Sequence, residues 1–315
     1  MENSEQQVYF EPAHDVIELP SKGMFYKNKK SSVKVAYMTA SDENILTSPN
    51  LLQSGKVLDV LLEKKILDKD IKAGDLLPGD RNAIIFFLRA TGYGEIYPVE
   101  LTDPKTDQTF VEDIDISQLP VKSIELDPDE NGECSFLLPR SQKNVKFRFL
   151  NANDDEKLIK EDQVRTKKLG SSAISQIMTL RLQNQITEVD GIRDKSAIMQ
   201  FVDSMSPMDS SSFRKHITDN EPGLDLTINI QAPSGEFFLV NFPLRPSFFG
   251  LTSDYRNQMM YESYVLVKHG NFTYSDVINM PVFERRRFIE ILMEENDKIK
   301  EAREREMQKA KSKRN

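Results

Sequence analysis

The sequence predicts an α+β fold: β-hairpins and helices in alternation, with a helical C-terminal region. Two observations lead there. Short runs with a period of two, bounded by Gly, Pro, Asn, Asp and Ser, alternate with longer stretches whose apolar residues recur at helical spacing. Part of that order also occurs twice, which raises the reading of a duplicated module made of a β-hairpin, helices and a ribbon-like β-hairpin.

Val8–Phe10 and Val16–Leu19 read as short extended pieces, and Pro20-Ser21-Lys22-Gly23 supplies turn chemistry before the alternation Val33–Tyr37, so a hairpin is expected. Ser41-Asp42-Glu43 offers an N-cap with acidic residues in the first turn of a helix. Leu51–Leu67 reads as a second helix, and a third is expected from Asp80, stopped by Gly92 and Gly94. Ile96–Leu101 and Thr109–Val111 flank a polar turn and predict a second hairpin. Val121–Leu126 and Cys134–Leu138, joined through Asp127–Gly132, predict another.

Val145-Lys146-Phe147-Arg148-Phe149 followed by Asn153-Asp154-Asp155-Glu156 echoes Val33-Lys34-Val35-Ala36-Tyr37 followed by Ser41-Asp42-Glu43. Each copy is preceded by a Leu-Pro and a serine, Leu19-Pro20-Ser21 and Leu138-Pro139-Arg140-Ser141. Leu226–Ile230 and Phe237–Phe242, around Ala232-Pro233-Ser234-Gly235, echo the hairpin of residues 96–116. The alternative is that strand, turn, strand and cap form a common local solution reached twice. The organisation expected is an N-terminal module over 1–120, a second over 121–250, a helical region over 251–300 and a flexible charged tail over 301–315. Asp154–Ile186 should be helical with a break at Gly170, and Ile198–Val202 and Ser210–His216 are short helix candidates.

Arg256–His269 reads as a helix closed by Gly270, Ser275 as the cap of a short turn, and Pro281 as the first residue of a helix running through Phe288, Ile291, Leu292 and Ile299. Three consecutive arginines, Arg285, Arg286 and Arg287, fan out around such a helix, so they cannot all meet one partner. One or two should pair with Glu284, Glu290 or a partner's carboxylates.

The 315 residues carry 42 Lys+Arg against 50 Asp+Glu, a net charge of −8, with one cysteine and no tryptophan. A mildly acidic chain is a poor general binder of nucleic acid, whose affinity comes from cations that neutralise phosphates. The longest apolar run, Ala83–Leu88, is far too short to span a bilayer, and the polar, acidic start does not resemble a secretory signal. Cys134 alone makes no internal disulfide and no thiolate cluster, which suits a reducing compartment. His14, His216 and His269 lack a second metal ligand at close spacing. Asp127–Gly132 opens like a calcium loop, yet the twelfth position, where a bidentate Glu belongs, is Leu138. Neither a phosphate-binding glycine loop nor a nucleophile elbow is present. The chain is therefore expected to be no enzyme, with no cofactor, metal or small-molecule substrate, and no nucleic-acid or membrane partner. The turns Thr102–Lys105 and Ala232–Gly235 sit where a zinc ribbon would place its cysteines, but hold none, so packing alone must keep their shape.

Several strings nevertheless match a known family. Leu19-Pro20-Ser21-Lys22-Gly23-Met24-Phe25-Tyr26, Met38-Thr39 with Asp42-Glu43, and Gly79-Asp80-Arg81 leading to Leu88-Arg89 and Tyr93-Gly94 resemble the baseplate hub and hub-assembly proteins of T-even-like, Myoviridae-type tailed phages. Phe242-Pro243-Leu244 with Pro246, Phe248 and Phe249, and Phe272–Val282 with Glu284-Arg285-Arg286, extend the resemblance. The resemblance implies a non-enzymatic hub subunit or chaperone-like hub assembly factor. It would act in the host cytoplasm and then in the virion tail baseplate, with other hub proteins and the tape-measure protein as partners. It also implies cysteine pairs in the ribbon-like turns of some relatives, which this chain lacks. A general protein-binding adaptor of non-tail function is the alternative. The expected partner-binding residues are Tyr274, Met280, Pro281, Phe283, Glu284, Arg285, Arg286, Phe288, Ile291 and Leu292, on a helix that docks in a partner's groove.

Overall fold

The computed structural model describes residues 12–169, 175–242, 246–249 and 255–312. The expected strand Val8–Phe10 and the break at Gly170 lie outside them. The first half runs β1 (His14–Glu18), β2 (Ser32–Ala36), α1 (Ala40–Leu46), α2 (Pro49–Ser54), α3 (Val57–Lys65), α4 (Pro78–Tyr93), β3 (Ile96–Thr102) and β4 (Thr109–Asp115). The second half runs β5 (Cys134–Leu137), β6 (Asn144–Phe147), α5 (Ala152–Leu169), α6 (Ile177–Gln185), β7 (Ile186–Val189), α7 (Lys195–Asp203), α8 (Pro207–Asn220), β8 (Thr227–Gln231) and β9 (Phe237–Asn241). Helices α9 (Tyr255–His269), α10 (Tyr274–Asn279) and α11 (Val282–Ser312) follow. The fold is α+β. Its sheets are small and antiparallel: β1-β2, β3-β4, β8-β9 and the three-stranded β5-β6-β7.

The two halves repeat each other at the level of individual bonds. In β2, Val33 and Val35 point into the core, as Val145 and Phe147 do in β6. The residue after α3, Ile66, bridges Val35, while Ile186 after α6 pairs with Phe147. Each strand leads into a reciprocal cap. The Asp42 carboxylate accepts from Thr39 N at 2.8 Å, and the Asp154 carboxylate accepts from Asn151 N at 3.2 Å. The Leu-Pro-Ser echo has the same explanation in both halves. Pro78 and Pro207 open α4 and α8, where a missing N–H costs nothing, and place Asp80 and Asp209 in the first turn. Asp80 accepts from Ser21 N at 2.9 Å and Asp209 from Ser141 N at 3.1 Å, so each carboxylate ties the hairpin turn to a helix start. Tyr26 Oη adds a 2.6 Å bond to Asp80, while Arg140 N adds one of 2.8 Å to Asp209.

One apolar cluster runs through both halves, from Leu19 and Val35 through Phe147 and Phe213 to Val282, so they share a core. Gly79 lies against the loop after α8 so closely that a Cβ there would meet Pro222 O at 1.8 Å, which restricts the position to glycine. The two ribbon-like turns also meet. Asp103, buried between them, accepts from Lys105 N at 2.9 Å in its own turn and from Ser234 N at 3.0 Å and Ser234 Oγ at 2.9 Å in the other.

Several local expectations are corrected. Leu51–Leu67 is split by Gly55, whose φ of 69° ends α2 in the left-handed region. Gly92 stays helical and Gly94 alone ends α4. Val121–Leu126 forms no hairpin with Cys134–Leu138: only Val121 makes a bridge, to Leu224, and β5 pairs with β6 instead. Within the calcium-like segment, the Asp129 carboxylate accepts from Asn131 N and Glu133 N and so closes the turn. The caps of α1 and α10 are Thr39 and Thr273 rather than Ser41 and Ser275, and the first residue of α11 is Val282 rather than Pro281. The charged segment expected as a tail from 301 is helical through Ser312.

The two capping carboxylates make stability depend on pH. Burial works to raise the pKa of Asp42, but the Lys65 charge and bonds from Lys64, Lys65 and Thr39 hold it below its ordinary value. For Asp154, burial is outweighed by Arg148 and Asn151 N, with the same net direction. Such a carboxyl stabilises the fold fully above its unfolded pKa of ~4, and that contribution is lost as pH falls through the folded value. Urea unfolding across this range should show the wild type losing stability more steeply than Asp42→Asn or Asp154→Asn. Equal slopes would count against the assignment.

Candidate functional site

The predicted partner-binding residues cluster at the base of α11. The start of this helix is fastened to β2 and α1. Val282 N donates to Met38 O at 2.8 Å, and Pro281 bridges Thr39. One turn further on, Arg285 is completely buried, as is Glu43 of α1. The two form a bidentate pair with N···O distances of 2.7 and 3.1 Å. Arg285 Nε also reaches Glu262 of α9 at 3.1 Å. The Glu43 carboxylate accepts further bonds from Tyr93 Oη at 3.0 Å and from Tyr255 Oη.

These contacts shift the ionisations in the directions burial and charge require. Burial lowers the pKa of Arg285, but the bonds to Glu43 and the charges around it overcome this and hold the guanidinium protonated above its ordinary range. Burial first, then the Glu43 charge, push Tyr93 far up and Tyr255 up to about 12. Both phenols therefore remain donors at neutral pH.

Arg286 is half-buried and lies over the Tyr93 ring, 4.9 Å from its centroid, whereas Arg287 is exposed and pairs with Glu290 at 2.9 Å and Glu294 at 3.4 Å. The fan expected for the three arginines is therefore present, with Arg285 inward. Phe283 is 43% exposed and set edge-on to Tyr37, and Phe288 lies 4.9 Å from Phe272. Met280, Pro281, Ile291 and Leu292 are half-buried, while Tyr274 and Glu284 are exposed. Arg285 thus belongs to the interior. Sequence reasoning missed its partners Glu43, Tyr93, Tyr255 and Glu262. A usable signal was its placement three residues after Val282, on the face that Val282 buries.

Beyond Leu292 the helix changes character: every residue from Met293 to Arg305 is exposed. The 31-residue helix rises about 1.5 Å per residue, so a long rod leaves the body of the protein from a base locked by a buried ion pair.

A second polar cluster lies between α5 and α6, beside the end of α8. Arg181 Nη2 holds Asp155 at 2.8 and 3.0 Å. Glu221 stands in the same electrostatic neighbourhood, and burial raises the pKa of both carboxyls. A cleft of about 530 Å³ beside it is lined by Met178, Arg181, Arg214, Lys215 and Glu221.

Removing one member of the buried pair strands the other. Arg285→Ala should therefore destabilise the protein by about 3–5 kcal/mol. Adding Glu43→Ala should cost much less than the sum of the single losses, because the charge left behind is then gone. Chemical denaturation of the four proteins in the cycle measures this, and strict additivity would show that the pair is not coupled.

Among the described residues no helix is long and apolar enough to cross a membrane. Comparison with known proteins returned no match among curated proteins and none among solved structures. A family model described as "T4 bacteriophage base plate protein" matches residues 12–237, well over half of the chain. The match spans the first half and the second as far as the first residue of β9, so the resembling strings at 242–249 and 272–286 fall outside it. The repeated α+β body thus identifies the chain as a member of the T4 bacteriophage base plate protein family, a component of a phage tail baseplate.

Proposed function

We propose that the chain is a non-enzymatic hub subunit or a chaperone-like hub assembly factor that works through protein–protein contacts. Its partners in this reading are other baseplate hub proteins and the tape-measure protein, met in the host cytoplasm during assembly and retained in the virion if the chain is a subunit. The observation that supports the reading is α11. Its base is held by Arg285 and Glu43, and its residues 293–305 are all exposed. An isolated helix gains little from its own hydrogen bonds, and an exposed face has to find its packing elsewhere. Phe283 and Phe288 at the base, both more than a third exposed, extend that surface back to the body.

Quantitative mass spectrometry of purified virions, of baseplate intermediates and of infected-cell lysate tests the proposal. A fixed small multiple of the other hub proteins in virions marks a subunit. Abundance in lysate and on intermediates, with absence from virions, marks an assembly factor. Absence from both particles and intermediates overturns the reading.

A further inference from the structure

The exposed part of α11 carries a charge order that selects its partner. Written as heptads, the seam positions are Leu292, Glu295, Ile299 and Ala302. Seam residues seven apart stay within about 20° of one another, so Leu292 and Ile299 lie on one line. That line begins in the packed base, where Leu292 is half-buried, and continues into solvent at Ile299, which is 50% exposed. The positions beside the seam are Lys298 and Arg305 on one flank and Asn296 and Arg303 on the other. The far side of the helix holds Glu294, Asp297, Glu301 and Glu304, with Lys300 as its one cation. A narrow apolar line, interrupted once by Glu295, is therefore bordered by cations and backed by anions. The three flanking cations and the four anions behind them are all solvent-exposed.

The cations are available. Among the described residues Lys298 and Arg303 have no ion-pair partner, and the bonds of Lys300 to Asp297 at 3.6 Å and of Arg305 to Glu301 at 3.3 Å join exposed groups, a kind of pair worth little in water. The same pattern excludes a second copy of the helix as occupant. Parallel pairing sets Lys298 against Arg303 of the other copy, and antiparallel pairing sets Lys298 and Arg305 against their own kind. Both arrangements bring like charges together along the seam.

We propose that residues 292–305 of α11 form a docking surface for an amphipathic helix of a partner protein with an aliphatic seam and acidic flanks. This deepens the assembly reading and rests on it for the existence of a protein partner. The partner helix buries Ile299 and Ala302, and its flanking carboxylates face Lys298, Arg303 and Arg305.

The probe is a synthetic helical peptide with leucine at its seam positions and glutamate on both flanks. Two controls accompany it: a twin with lysine flanks, and a peptide of the same acidic composition with the leucines moved off the seam. Binding to the full chain is read by fluorescence anisotropy at low and at physiological salt. The acidic seam peptide should bind at least tenfold more tightly than either control. Ile299→Asp should weaken it at least tenfold, and Lys298→Glu with Arg305→Glu should shift preference to the lysine-flanked twin. Unchanged circular dichroism confirms that these surface variants are folded. Equal binding of the three peptides, indifference to Ile299→Asp, or a concentration-dependent self-association abolished by Ile299→Asp overturns the proposal. Failure here is distinguishable from failure of the assembly reading. If the peptides fail while the chain still associates with hub intermediates, only the partner chemistry falls; if that association is absent, the assembly reading falls as well.

Discussion

The guanidinium of Arg285 against the carboxylate of Glu43 is the constraint on which the placement of the C-terminal helices depends. Both side chains are fully out of solvent, and desolvating two ions is costly unless nearly every lone pair and proton finds a partner. Here they do: Glu262, Tyr93 and Tyr255 complete the shell, drawing α4, α9 and α11 onto α1. A shell of this kind admits few alternatives, because a shifted α11 would strand a buried charge. The cost of burying ions is thereby exchanged for a defined exit direction of the long helix. That exchange suits the proposed reading, in which the exposed part of the rod meets a partner in a fixed orientation.

The same economy appears in the repeated body. Two small hairpins cannot bury both faces or protect their edges alone, since isolated two-stranded ribbons are marginal in water. Each is therefore pinned by a carboxylate from a helix start, Asp80 at Ser21 and Asp209 at Ser141, and each following strand ends in an aspartate-closed cap. Where a ribbon would place its metal, Asp103 takes backbone donors from both turns and the Ser234 hydroxyl from one of them. Short polar side chains aimed at backbone N–H groups thus fix the loops, and the shared apolar core is left to fix the helices.

What could be read from the sequence was local. The strands of β1, β2, β3, β4, β8 and β9 and the helices α4, α8 and α9 show their period and their punctuation within a few residues of themselves. The echo at residues 33–43 and 145–156 was visible because the caps need the same aspartate at the same distance from the strand. Boundaries failed where the signal crossed a break, as at Gly55, where apolar spacing continues although the backbone turns left-handed. Pairing failed where two candidates competed: β5 joined the strand after it rather than the extended segment before it. The continuation of α11 past residue 300 was missed because an almost wholly polar stretch shows no continuous apolar stripe, though its oppositely charged residues at helical spacing support a helix. The buried site was illegible for a simpler reason. Arg285 and Glu43 are 242 residues apart, and no periodicity reports a contact at that distance.

The repeat also explains why α10 and α11 sit where they do. In the second half, the end of β6 and the start of α5 pack against the first half: Phe149 lies 4.9 Å edge-on to Phe25, Asn153 donates to Asp75 at 2.9 Å, and Glu156 meets Lys56 at 3.2 Å. Among the described residues, no second module packs against the corresponding stretch of the first half, from Tyr37 through Thr39 to Glu43. Phe283, Pro281 and Arg285 do so instead. Stacked repeats commonly need a dedicated element to close the exposed end of the stack. The C-terminal helices therefore serve the body as a cap, and because a cap has to be rigid to exclude water, it is also a firm base from which the rest of α11 leaves the protein.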